Sequence, residues 1–118
     1  MFTLLLAALL AAPPLDPAGL QSGDILLQTS QSAQALAIAW VTKSVYTHVG
    51  MVERTDDRAF VIEAIHPVRR TPLAAWLARG VGGHATALRS PGLDDAGRAA
   101  VVAAAAAYLG RPYDLTFS

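Results

Sequence analysis

A histidine and a glutamate in neighbouring strand-like stretches are the residues of this sequence best placed for catalysis. His48 lies in YTHVGMV (46–52), and Glu63 lies in FVIEAI (60–65). The polar turn at 55–58 joins the two runs and predicts a hairpin in which Arg54 pairs with Ala59. That register places Gly50 opposite Glu63. It also makes His48 and Glu63 diagonal neighbours on one face, with their Cα atoms about 7–8 Å apart.

Gly50 supports a close approach between these two side chains. Glycine is a poor strand residue unless another group comes near the backbone there, so we expect Glu63 to lean across it toward His48. A carboxylate on a neutral imidazole fixes its tautomer and raises its basicity, as in a nucleophile–base–acid triad. A one-residue slip would put the pair on opposite faces, and such a pair can also be purely structural. The residue pattern alone leaves both interpretations open.

The elements that would position this pair alternate in type along the chain. Besides the hairpin, we predict three further strands, over Asp24–Gln28, over Val68–Thr71 and within 84–90. We also predict three helices: over 31–43 after a Ser30 cap, from Pro72 through Trp76, and over 90–110, where Gly110 ends the helix. Hairpins rather than strand–helix–strand crossovers indicate an α+β domain, with an antiparallel sheet packed against two or three helices.

Composition excludes several classes of function. Lys plus Arg and Asp plus Glu number 9 each, so the formal net charge is zero, and no basic surplus favours nucleic acid as a partner. The 118 residues contain no cysteine, which removes disulfides and thiolate metal sites. One domain is the natural size for this length.

The N-terminal stretch MFTLLLAALLAAPPLDPA (1–18) is typical of an export signal followed by a linker. Its apolar run is too short for a transmembrane helix, which needs about 20 apolar residues. We therefore predict a signal peptide and linker over 1–18, a domain over 19–118, and a secreted or periplasmic location. An N-terminal helix packed on the domain is the alternative.

Four segments in order resemble one enzyme family: SGDILLQTS, AIAWVTKSVYTHVGMV, FVIEAI and GRPYDLTFS. They are similar to the circularly permuted branch of the NlpC/P60 cysteine peptidases, the YiiX-like group, which has a papain-like α+β fold in permuted order. The resemblance implies that His48 is the catalytic base and Glu63 its orienting partner. It also implies that Tyr113 and Asp114 precede the helix of the nucleophile. Tyr113, and Asp24 of the Gly-Asp motif, are then expected to bind the substrate, although Asp24 can also be read as a simple turn or strand-start residue.

The family's nucleophile is a cysteine C-terminal to the Pro-Tyr-Asp segment, and this chain has none. We interpret the domain as incomplete at its C-terminus, without the helix that carries the nucleophile; a short pseudoenzyme is the alternative. Ser44, Ser90 and Ser118 are not in a Gly-x-Ser-x-Gly elbow. A metal is not expected, because the candidate ligands His48, Glu63, His66 and His84 show no zinc-binding spacing.

The resemblance therefore implies a thiol hydrolase of amidase or peptidase type, which the leader would direct to the cell envelope, without a cofactor and without its nucleophile in this chain. Its substrate would be a small peptide, such as one derived from the cell wall, or an acyl or lipid compound, and the enzyme would cleave an amide or acyl bond in it. A non-catalytic ligand-binding module and a small structural protein are the alternatives. The adjacent arginines Arg69 and Arg70 suit either an acidic substrate or a solvated loop.

Overall fold

The computed structural model describes residues 15–31, 46–65 and 67–112, and these form an antiparallel sheet with two α-helices. The elements in chain order are β1 (Ile25–Gln28), β2 (His48–Arg54), β3 (Ala59–Ala64), β4 (Val68–Pro72), α1 (Leu73–Ala78), β5 (Thr86–Leu88) and α2 (Asp95–Ala106). Short 3-10 turns cover Pro17–Gly19 and Val81–Gly83. Residues 32–43 of the predicted first helix, the leader before residue 15 and Tyr113 lie outside the described residues.

The five strands are arranged in the order β4-β3-β2-β1-β5, and every neighbouring pair is antiparallel. The predicted α+β class is confirmed. The β2–β3 register is also confirmed, because Arg54 pairs with Ala59 and Met51 with Ile62. Continuing that register places Gly50 opposite Glu63, so the turn at 55–58 sets which face Glu63 occupies.

The main core lies between one face of the sheet and α1. Its buried members are Leu20, Leu26, Val52, Val61, Leu73 and Trp76. Helix α1 begins directly after Pro72, as predicted, and continues two residues beyond Trp76. Because strand side chains alternate between faces, the core face of β2 and β3 also carries His48, Gly50 and Glu63.

Helix α2 packs beside β2 and returns the chain to the sheet. The Asp94 side chain caps its N-terminus by accepting a hydrogen bond from the Gly97 amide at 2.7 Å. After α2, Gly110 has a positive φ of 84° and donates to the Val68 carbonyl at 2.8 Å. The amide of Val68 in turn donates to the Arg111 carbonyl at 3.0 Å. Within the described residues, no helix is both long and apolar enough to cross a bilayer.

Candidate active site

The predicted pair meets at the end of the sheet where β2 begins and β3 ends. His48 Nε2 and Glu63 Oε1 are 2.6 Å apart, which is hydrogen-bond distance. The two side chains lie on adjacent antiparallel strands and on one face, as the hairpin register requires. The Glu63 side chain is fully buried, whereas the imidazole of His48 is 21% exposed. The histidine therefore has one side against the protein and another that a substrate can reach.

Glu63 is held by more partners than the sequence indicated. Arg79 Nη2 donates to both carboxylate oxygens, at 2.7 Å to Oε1 and 2.5 Å to Oε2. Thr71, which lies on the neighbouring strand β4, donates its hydroxyl to Oε2. Both residues were missed, because Arg79 follows α1 in a loop and no local pattern relates it to the hairpin. Thr71 could have been found from the β3–β4 register, which places it opposite Val61 and diagonal to Glu63.

These partners keep Glu63 ionised. Burial by itself raises the pKa of this carboxyl, but hydrogen bonds from His48, Arg79 and Thr71 and the charge of Arg79 lower it more, so the pKa falls from 4.5 to about 2. An ionised carboxylate can only accept hydrogen bonds. In the neutral imidazole, Nε2 must therefore carry the proton that points at Glu63, and Nδ1 keeps the lone pair.

Trp76 and Gly50 set the position of the imidazole from the core side. The indole of Trp76, which is fully buried, stacks on the His48 ring with a centroid separation of 6.0 Å. A Cβ on Gly50 would lie 2.2 Å from Val61 Cγ1 and 3.4 Å from Trp76 Nε1. The space above Gly50 is therefore filled by Val61 and Trp76. Glu63, which lies opposite Gly50 when the β2–β3 register is continued, reaches His48 from the neighbouring strand.

Gln28 completes the buried side of the site. It pairs with His48 across the β1–β2 ladder and is fully buried. Its side-chain amide donates to the Trp76 carbonyl at 3.0 Å, while its Oε1 has no hydrogen-bond partner among the residues that the structure describes. This hydrogen bond connects β1 to α1 next to His48.

A cavity of about 300 Å³ opens beside His48. Its lining includes three strand residues of the face opposite to the core, the two residues that precede β2, and His48 at the start of β2: Leu27, Val49, Ala64, Tyr46, Thr47 and His48. Val49 is half exposed. The lining is largely apolar with a few hydroxyl groups, which is the composition of many small-molecule sites.

Asp24 lies away from this pair. The residue precedes β1, four residues before Gln28, and its carboxylate is almost fully buried. Arg89 donates to it at 2.8 Å through two nitrogens, and this hydrogen bond is the main reason that the pKa of Asp24 lies below its usual value. The structure thus gives Asp24 a partner that joins β1 to the end of β5, and its substrate-binding role stays a prediction.

Tyr113, the other predicted substrate-binding residue, lies outside the described residues. The chain just before it does approach the site, because Gly110 and Arg111 bond to Val68. Val68 pairs with Ala64, the residue after Glu63.

Two further histidines are among the candidate metal ligands. His84 is buried, and its Nδ1 lacks a hydrogen-bond partner within the described part of the chain. His66 is not among the described residues.

Comparisons with known proteins agree with this geometry. A family model described as "Permuted papain-like amidase enzyme, YaeF/YiiX, C92 family" matches residues 19–118. The uncharacterized protein YiiX of Escherichia coli (strain K12) is 38% identical over 116 residues, which are 98% of this chain and 57% of that protein. A crystal structure of YiiX from Escherichia coli O157:H7, described as a metalloprotein, superposes with a TM-score of 0.76 at 40% identity, over 83% of this chain and 55% of that one. The chain thus spans a little over half the length of these relatives.

Proposed function

Because the chain belongs to the permuted papain-like amidase family of YaeF and YiiX, we propose that it supplies the base and the orienting carboxylate of a thiol-dependent amidase or peptidase. His48 is the general base, and Glu63 is the residue that holds its ring. The observation that carries this proposal is the hydrogen bond of 2.6 Å between a part-exposed imidazole and a buried carboxylate. That carboxylate stays ionised at every pH near neutrality, since its pKa is about 2.

The tautomer assigns each ring nitrogen a task. Nε2–H donates to Glu63, so Nδ1 accepts the proton of a cysteine thiol, and the thiolate attacks the substrate carbonyl. The imidazolium that forms is stabilised by Glu63 and then returns the proton to the leaving amine or alcohol. Water hydrolyses the thioester in a second round, with Nδ1 again taking the proton. The oxyanion is stabilised by backbone N–H groups near the nucleophile.

The nucleophile is the component that these 118 residues do not contain. In the family pattern the cysteine follows the Pro-Tyr-Asp segment, which corresponds to 112–114 here. The hydrogen bonds of Gly110 and Arg111 to Val68 support this placement, because they direct the chain toward the end of the sheet that holds His48. The nucleophile would then arrive on the exposed side of the imidazole.

The substrate that we propose is a peptide amide or an acyl bond of the cell envelope. The cavity beside His48 has apolar walls and measures about 300 Å³, which suits a short peptide or acyl segment. The envelope location rests on the apolar leader at 1–18, which is typical of exported proteins.

A metal-dependent mechanism is not favoured by the donor set. The solved YiiX is described as a metalloprotein, but the described residues of this chain contain no group of three or more His, Asp or Glu that could hold a metal ion. Glu63 is also a poor ligand here, because Arg79 and Thr71 occupy its oxygens and the nearby guanidinium groups would repel a cation. The described residues do not fit a metal centre, and the mechanism above uses none.

A non-catalytic ligand-binding module is the second candidate, because the 118 residues hold no cysteine. Such a protein would keep the cavity and the His48–Glu63 pair as a rigid binding site. It would bind the same peptide or acyl compounds and release them unchanged.

The deciding experiment starts with the coding sequence after Ser118. The amidase proposal expects an open frame that continues into a segment with a cysteine. The product of the whole frame should hydrolyse amide or ester substrates, iodoacetamide should block it, and His48→Ala should abolish turnover. Glu63→Gln should lower kcat by roughly 10²-fold or more. A frame that stops at Ser118, or turnover that iodoacetamide leaves unchanged, would contradict the proposal.

A further inference from the structure

Arg69 and Arg70 are adjacent in sequence but lie on opposite faces of the sheet. Both belong to β4, where successive side chains alternate between faces. Arg69 pairs with Glu63 in the β3–β4 ladder, and Arg70 pairs with Ile62. Arg69 therefore shares a face with His48, and Arg70 points to the other side.

The two arginines also differ in what neutralises them. Arg70 donates through Nε and Nη2 to the two carboxylate oxygens of Glu53, so its charge and its planar fork are occupied. Arg69 approaches Glu63 Oε2 at 3.5 Å, which is ion-pair contact without a hydrogen bond. Its side chain is 49% exposed and donates no hydrogen bond to any residue in the described part of the chain.

Glu63 cannot serve Arg69 as a full partner, because other groups already fill it. Oε1 accepts from His48 and Arg79, and Oε2 accepts from Thr71 and Arg79. One carboxylate thus faces two guanidinium groups, so the cluster carries an excess of one positive charge even with a neutral imidazole. That excess is located on the part-exposed Arg69, at the sheet edge beside the histidine.

We propose that Arg69 binds an anionic group of the substrate, a carboxylate or a phosphate, close to the bond that is cleaved. This inference rests on the proposed function only in treating the ligand as a substrate. The guanidinium is planar and matches the two oxygens of either group in a bidentate fashion. His48 and Arg69 contact different oxygens of one carboxylate, so the bound anion would lie near the imidazole. The distance between them would be on the order of two to three residues of an extended substrate chain, each of which spans about 3.3–3.6 Å.

The test measures ligand binding by the 118-residue chain, so it needs no nucleophile. N-acetylglutamate amide and N-acetylglutamine amide have nearly the same shape and differ by one charge. Glycerol 3-phosphate provides a phosphate of the kind found in lipid headgroups. Each compound is titrated at constant ionic strength while the NMR signals of the Arg69 Nε–H group and the His48 ring are followed. The glutamate compound, the phosphate or both should give saturable shifts, with the neutral amide binding at least about tenfold more weakly.

Arg69→Gln and Arg70→Gln are the matched variants, because they remove the same charge from opposite faces of one strand. Arg69→Gln should weaken anion binding by about tenfold or more, while Arg70→Gln should leave it within roughly twofold. Arg69→Lys keeps the charge without the fork and should fall between them, which also covers the case in which Arg69→Gln does not fold.

The pattern of binding assigns the source of the anion. Binding of the glutamate compound alone indicates a peptide side chain, and binding of glycerol 3-phosphate alone indicates a headgroup. Saturable binding of both amides with equal affinity, no binding of either the glutamate compound or the phosphate, unchanged binding in Arg69→Gln, or an equal loss in Arg70→Gln would each overturn the inference. None of these results would affect the His48–Glu63 proposal, which is tested by hydrolysis.

Discussion

The indole of Trp76 lies against the imidazole of His48, with the ring planes inclined by 29°. This contact exists because Gly50, two residues along β2, has no side chain to fill the space above the sheet. Trp76 and Val61 occupy that space instead. The histidine is therefore fixed by a stacking contact on its core side and by the hydrogen bond to Glu63, and only its remaining edge is open to solvent.

We expect Gly50→Ala to destabilise the fold and to displace the histidine. The new Cβ would lie 2.2 Å from Val61 Cγ1, and such overpacking costs about 1–3 kcal/mol. Urea unfolding measures the loss. The double variant Gly50→Ala with Val61→Ala removes the clashing methyl group, so its cost should be smaller than the sum of the two single costs.

Gly19→Ala is the control for this experiment, because nothing lies within 4 Å of a Cβ at that position. Its effect should stay within about 0.5 kcal/mol. Additive costs for Gly50→Ala and Val61→Ala would show that the close packing above Gly50 is not the reason for the glycine.

Two substitutions of Trp76 should differ sharply. Its Nε1 is buried without a hydrogen-bond partner among the described residues, so Trp76→Phe removes an unsatisfied donor and keeps an aromatic ring against His48. We expect a change in the free energy of unfolding of about 1.5 kcal/mol or less, in either direction. Trp76→Ala leaves a cavity and should cost about 3–5 kcal/mol. Equal losses for Phe and Ala in urea unfolding would indicate that the indole N–H is bonded after all.

The stability of the fold should fall in acid because of Glu63. Its pKa in the folded chain is about 2, compared with 4.5 ordinarily, so the unfolded chain binds the proton more tightly. The stabilisation is complete above about pH 4.5 and is lost as the pH falls toward about 2, with a total on the order of 3 kcal/mol. Urea unfolding at several pH values across this window measures the loss.

Glu63→Gln should flatten that pH profile, although Asp24, whose pKa is also lowered by Arg89, leaves some acid dependence in place. Asp95→Asn is the control, because the Asp95 side chain is fully exposed and its removal should leave the acid-dependent loss intact. A Glu63→Gln profile as steep as that of the parent chain would mean that the buried carboxylate is not the group that titrates.

Arg79→Gln should destabilise the chain far more than Arg70→Gln does. Arg79 bonds a carboxylate that is fully buried, and breaking a buried pair leaves an uncompensated charge at a cost of about 3–5 kcal/mol. Arg70 bonds Glu53, which remains 17% exposed, so its loss should cost about 1 kcal/mol or less. Thermal and urea unfolding of both variants compares them. Similar small losses would show that Thr71 and His48 alone suffice to hold Glu63.

The sequence predicted the hairpin and the His48–Glu63 pair because both depend on local rules: the turn at 55–58 fixes the register, and the register fixes the face. Arg79 and Trp76 escaped prediction as site residues because each reaches the pair only through tertiary packing, whereas Thr71 was missed although the β3–β4 register leads to it. Val61 and Trp76, which lie nearest to a Cβ at Gly50, were likewise not predicted as its neighbours. A strand glycine signals that something comes close, but the pattern cannot say whether the neighbour is Glu63 or the Trp76 ring of a helix that begins 23 residues later.

The tautomer of His48 is the most direct prediction of the site geometry. Glu63 is ionised and accepts at 2.6 Å from Nε2, so the neutral ring should carry its proton on Nε2 and leave Nδ1 without one. Two-dimensional ¹H–¹⁵N spectra of the ring distinguish the nitrogens, because protonated and unprotonated nitrogens resonate far apart. At a pH where the ring is neutral, Nε2 should show the protonated shift and Nδ1 the unprotonated one.

His84, whose Nδ1 has no partner among the described residues, provides an internal comparison. Glu63→Gln should weaken the preference of His48 and leave the His84 signals in place. A proton found on Nδ1 of His48 would contradict the assigned role of that nitrogen as the base.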